Sequence, residues 1–205
     1  MDHAPLTRIE ALTAAEICTR FTLSREAQTL LRESMAPGAF VEALLANKQF
    51  VDGINFFAHA LPHRDAVWWG CLCFQHACGN AMSARDRLAA AAAVRWVLHP
   101  GDATQCAAKA PAEAAGLVSP AGALAMAAYQ TGPGFVSPGG PPVPVALPAA
   151  AQSVANAIKL CCTLSKPAMA MATQKSFVEL GLGVAGGRFG VAQSVAGMNR
   201  KHQEV

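Results

Sequence analysis

Along most of this chain apolar residues recur three and four positions apart, the spacing that gathers them on one face of an α-helix. The pattern is densest from Phe56 to Cys78. Val67, Cys71, Phe74 and Cys78 share one stripe there, Trp68 and Leu72 a second, and Trp69 and Cys73 a third. A helix that is apolar around most of its circumference belongs in the middle of a domain, with other helices around it. Pro62 suits a first helical turn, where the N–H it lacks would have no partner anyway. The spacing therefore predicts a central helix over 62–79.

Cap and breaker signals set out the flanking elements. Thr13-Ala-Ala-Glu16 reads as a capping box opening a short helix through Phe21, and Ser24 caps another from Arg25 to about Ser34. Pro37 starts a helix with Phe40, Leu44 and Leu45 inward, and Phe50 to Leu61 follows. Ser83-Ala-Arg-Asp86 is a second capping box, for a helix to about His99 that carries Leu88, Ala92 and Trp96 toward the core. Asp102 is expected to cap a helix to about Gly116, and Ser119-Pro120 to open one to about Gln130. Ala149 to Ser165 and a long helix from Pro167 complete the set, and no stretch alternates as a strand would. The expected fold is all-α, a single-domain bundle of short antiparallel helices around the central one.

One stretch departs from the period. Residues 131–148 hold six prolines and four glycines and no charge, so they suit neither a helix nor a central strand. Phe135, Val143, Val145 and Leu147 make the segment too apolar for a solvated linker. The expectation is an ordered arm of polyproline II character within the domain. Overlapping P-x-x-P spacings at Pro138, Pro141 and Pro144, with Pro142, Val143 and Phe135 beside them, make it a candidate partner-binding arm. The end of the chain, 198–205, reads as a frayed tail.

Composition narrows the function classes. Hydrophobic residues make up 53% of the 205 and charged ones only 14%, against roughly 25% in an average globular protein. Disorder is excluded for most of the chain, and so little polar surface points to a protein partner or a homo-oligomer. The net charge of +3 comes without a basic cluster, so nucleic acid is not expected as a partner. Prolines interrupt the uncharged run 114–158 before it reaches the roughly 20 residues of a membrane span. The first residues lack the pattern of a signal peptide, and seven cysteines, an odd number, suit free thiols, so a cytoplasmic location is expected.

Candidate chemistry is sparse. Cys71-x-Cys73-x-x-His76-x-Cys78 has the right ligand types for zinc, but on a helix positions 73 and 76 point away from 71 and 78. The three cysteines read as core residues, and neither a metal nor another cofactor is expected. His59, His63, Arg64, Asp65 and Trp68 crowd the entry to the central helix and form the candidate polar site, with histidine as acid–base and Arg64 as anion anchor. No nucleophile stands at a recognisable spacing from them, so no catalytic residue is assigned. Gly181-Leu-Gly183-Val-Ala-Gly186 matches a dinucleotide fingerprint by letter only, because too little chain follows to build the required unit.

The run Ala60-Leu61-Pro62-His63-Arg64-Asp65-Ala66-Val67-Trp68-Trp69 resembles an uncharacterised bacterial helical family with an Ala-Leu-Pro-x-Arg-x-Ala-Val-Trp-Trp stretch. The resemblance continues through Leu98-His-Pro100, Ser119-Pro-Ala-Gly122 and Pro141-Pro-Val-Pro144, and so covers most of the chain. It departs at Phe135-Val-Ser-Pro138, where the family pattern has a turn richer in serine and glycine. The resemblance implies an association with type VI secretion gene clusters, whose small accessory proteins help load or fold effectors. It supplies no catalytic residues. The combined reading is a non-enzymatic interaction protein (an adaptor, chaperone or accessory factor), partnered by a secreted effector or secretion component. Such a protein is expected to expose an apolar patch. The alternative is a small enzyme or ligand-binding domain with a cleft at His59, His63, Arg64 and Trp68.

Overall fold

A computed structural model describes residues 5–79, 82–132 and 148–190. Among them the chain forms α1 (Ala14–Cys18), α2 (Arg25–Leu30), α3 (Pro37–Ala46), α4 (Phe50–Ala60), α5 (His63–Cys78) and α6 (Ala84–Leu98). These are followed by α7 (Asp102–Ala107), α8 (Lys109–Ala115), α9 (Pro120–Tyr129), α10 (Ala149–Thr163) and α11 (Ala170–Ala185), with a short 310 turn at Pro167–Met169. The described residues contain no strand, and the architecture is an all-α helical bundle.

The predicted caps start the helices as expected. Thr13, Ser24, Ser83 and Ser119 each accept a hydrogen bond from a backbone N–H of the first turn. One of them reaches further: the Ser24 N–H and hydroxyl both donate to the buried carboxylate of Asp52, at 2.9 and 2.8 Å, which ties α2 to α4. Pro62 stands one place earlier than predicted, in extended conformation as the N-cap of α5.

Between 102 and 116 the single helix expected from sequence is two. Pro111 has no N–H to offer the carbonyl of Ala107, so the hydrogen-bond ladder cannot run through. The chain closes α7 with a tighter bond from Ala108 N–H to the Gln105 carbonyl and starts again as α8. Asp102 is the first residue of α7 rather than its cap.

α5 packs on α4, α6, α9, α10 and α11, as a central helix should. Val67, Trp69 and Cys73 are fully buried. The Trp69 indole N–H donates to the Phe177 carbonyl at 2.9 Å, and its ring extends an edge-to-face series through Phe57, Phe56 and Phe40. Each such ring pair contributes about 0.5–1.5 kcal/mol beyond its buried area. α9 is buried as deeply, and its run of alanines lets α6, α8 and α10 close on it. The approach is closest at Gly122, where a Cβ would collide with the backbone carbonyl of Gly116. Gly181 and Gly183 lie inside α11, not in a phosphate-binding turn. A side chain at Gly181 would crowd the rings of Phe57 and Trp69.

Leu88 departs from expectation. The core stripe of α6 is Ala89, Ala93, Trp96 and Val97, which rotates Leu88 outward to 67% exposure.

Candidate functional site

The polar candidates gather where α4 turns into α5. His59 lies in the last turn of α4 and is only 5% exposed. Its Nδ1 is 2.9 Å from the Asn55 carbonyl, and a carbonyl only accepts, so Nδ1 carries the proton. Nε2 is left as a buried acceptor with no hydrogen-bond partner. The ring stacks on Phe21 at 4.9 Å. Burial lowers its pKa below 6.5, and Arg20 and Lys159 push the same way, so the imidazole is neutral near pH 7.

His59 and His63 both line one cleft of about 900 Å3. His63 is exposed at the first position of α5, and partial burial of its ring lowers its pKa as well. The opposite wall comes from the N-terminal segment and α1, with Arg8, Glu10, Glu16 and Arg20. Arg20 donates to the His59 carbonyl at 3.0 Å and pairs with Glu16 at 3.3 Å, which joins α1 to the end of α4.

Arg64 is not part of this cleft. Its Nε donates at 2.7 Å to the Val97 carbonyl, an acceptor freed by the end of α6, and so the expected anion anchor serves as a helix C-cap. Asp65 is buried in the first turn of α5, with Arg8 at 3.8 Å. The Trp68 indole N–H donates at 2.8 Å to the Phe189 carbonyl and fastens the chain beyond α11 to α5. The five predicted residues therefore divide: two histidines share the cleft, and three hold the helix in place.

Sequence reasoning missed Arg8 and Arg20, because nothing in the spacing joins residues 8–20 to residues 59–63. The candidate arm residues Phe135, Pro138, Pro141, Pro142, Val143 and Pro144, and the tail 198–205, lie outside the described residues.

Around the cysteines, no group of three or more His, Cys, Asp or Glu among the described residues is placed to hold a metal ion. His76 is exposed and meets the edge of Phe177, while Cys71 and Cys73 are buried. Burial pushes the Cys71 thiol up to about 12 and that of Cys73 well above its ordinary value, so neither is a ready thiolate.

A second concavity, of about 430 Å3, was not foreseen. It runs between α6 and the α7–α8 pair. Leu88 and Ala92 on one side face Ala107, Ala110 and Ala114 on the other, and Arg85 and Arg95 stand on the α6 wall. At its α6 N-terminal end the Asp86 carboxylate accepts from the Ser119 hydroxyl at 2.5 Å, which holds the exposed Leu117 and Val118 close to the first turn of α6.

Among the described residues the all-α fold carries a cleft lined by polar side chains at the α4–α5 turn and a more apolar groove beside α6. The model of a family of unknown function, DUF6931, matches residues 40–185, and the chain belongs to that family. No curated protein and no solved structure matches it. The groove lies wholly within the matched span, whereas the Arg8 and Arg20 wall of the cleft precedes it. Among the described residues no helix is long and apolar enough to cross a membrane.

Proposed function

We propose that this chain is a non-enzymatic protein-binding module, an adaptor, chaperone or accessory factor working in the cytoplasm of a bacterium as part of a secretion-type system. The observation that carries the reading is the groove between α6 and α7–α8. Leu88 and five alanines make up most of its lining and are left open to solvent, and beyond α8 Leu117 and Val118 are 58% and 86% exposed. Contiguous exposed apolar surface of this kind is the ordinary mark of a protein-binding site. The secretion context rests on the resemblance of the Ala60–Trp69 run, and it makes a secreted effector or a secretion component the expected partner. Affinity capture of the tagged full chain from its host, with light scattering of the eluted complex, tests the reading. One stoichiometric protein supports it; a clean monomer without partner overturns it.

A second reading is favoured by His59. A buried imidazole acceptor without a partner, beside Arg8 and Arg20 in a 900 Å3 cleft, suits a small ligand that brings one donor and one anionic group. Titrating small hydroxy acids and phosphate while following the His59 ring nitrogens by NMR tests it. A His59 signal that no compound moves would end this reading.

A further inference from the structure

We propose that the groove between α6 and α7–α8 receives an acidic amphipathic helix of a partner protein. The inference rests on the protein-binding reading above and names the class of partner. Arg85, Leu88, Ala92 and Arg95 fall three and four residues apart on one face of α6. From Arg85 to Arg95 that face rises about 15 Å, the length of some ten helical residues. Thr104, Ala107, Ala110 and Ala114 form the facing wall at a similar period. The α7–α8 wall is mostly alanine, and small side chains let a third helix approach closely, as α9 does on the other side of α6.

Charge selects the occupant. The groove lining includes two arginines and no carboxylate, and neither the Arg85 nor the Arg95 guanidinium makes a hydrogen bond or ion pair among the described residues. Arg85 also stands in the first turn of α6, where a cation works against the helix dipole, so α6 itself gains nothing from it. A helix with apolar residues on one face and glutamate or aspartate along its flanks would fill the groove and neutralise both guanidinium groups. The chain's own remaining segments lack that chemistry. Residues 133–147 carry no charge, and 191–205 carry Arg200 and Lys201 against Glu204.

The test is a display library of random sixteen-residue peptides, panned on the full chain, with the enriched peptides then measured on the Arg85→Glu/Arg95→Glu double variant. Both substituted residues are exposed, and matching melting curves would establish that the variant is folded. The expected result is enrichment of acidic peptides with apolar residues at i, i+3, i+4 and i+7. Their affinity should fall about tenfold or more in the double variant and weaken with added salt. A Leu88→Ser variant should weaken them with the charges intact. Enriched peptides that are basic or uncharged, or that bind the double variant equally well, would overturn the proposal. So would self-association of the chain that Leu88→Ser abolishes, since a second copy would then cover the groove. If affinity capture yields a partner whose binding ignores Arg85 and Arg95, this inference falls and the protein-binding reading stands. If no peptide is enriched and no partner is captured, both fall.

Discussion

His59 illustrates how one buried side chain makes the whole fold sensitive to pH. Its folded-state pKa is below 6.5, because burial, and then Arg20 and Lys159, disfavour the imidazolium. Between that lowered value and 6.5 the unfolded chain binds more protons than the folded one. Stability is therefore full above pH 6.5 and declines as pH falls through the window, by at most about 1.4 kcal/mol per pH unit for one site. His63 is shifted the same way and adds to the decline. Asp86, held low by the Ser119 and Ser83 hydroxyls, also loses stabilisation as pH falls and so does not offset the decline. Urea denaturation should give a lower midpoint at pH 5.5 than at pH 7.5, and His59→Gln should flatten the difference. An unchanged difference in the variant would mean that His59 is not buried as a neutral ring. The cysteines give a second residue-scale prediction. Cys106 is exposed while Cys71, Cys73 and Cys161 are buried with raised pKa values, so a thiol reagent should modify Cys106 first and leave those three intact until unfolding. Early labelling of Cys71 or Cys73 would contradict the packing of α5.

At the scale of the element, glycines separate helices that must touch from helices that need not. Gly122 of α9 faces the Gly116 carbonyl, and backbone cannot swing aside as a side chain would. Gly122→Ala should cost about 1–3 kcal/mol through overpacking. Gly38 of α3 meets only Leu6 at 3.8 Å, an ordinary contact. Gly38→Ala should instead stabilise by about 0.4–1 kcal/mol, by narrowing the unfolded ensemble. Thermal denaturation of the two variants should show shifts of opposite sign. Helix starts were legible in the sequence because Thr13, Ser24, Ser83 and Ser119 act locally, within a turn. The orientation of α6 was not: alanines run around its circumference, so the pattern could not tell the Leu88 face from the Ala89 face. The break at Pro111 was visible in the letters and was outweighed by the alanines on either side of it. His59 and His63 could be paired from their spacing across Pro62. Arg20, 39 residues from the carbonyl it contacts, could not. Nor could Arg64 be separated from them, since its acceptor is the end of a helix 33 residues on.

Across the molecule, burial is unevenly shared, and the imbalance predicts which parts open first. α5, α9 and α10 bury most of their residues against several neighbours, whereas α7 contains no buried residue and α8 only Ala112. Local opening free energies follow buried contact, from near zero at such peripheral elements up to the global value in the core. Native-state hydrogen exchange should therefore be fastest in α7, fast in α8, and slowest in α5 and α9. The same gradient bears on the groove, because its outer wall is this weakly held pair while its inner wall, α6, is anchored through Trp96 and Val97. A partner seated there would add its binding energy to the element with least of its own. Protection should rise most in α7 and α8, by an amount set by RT ln(1 + [L]/Kd), or about 2.7 kcal/mol at a hundredfold excess over Kd, and hardly at all in α1 or α4. Protection appearing instead around His59, Arg20 and the first turn of α5 would locate the working surface at the cleft and favour a small ligand over a protein.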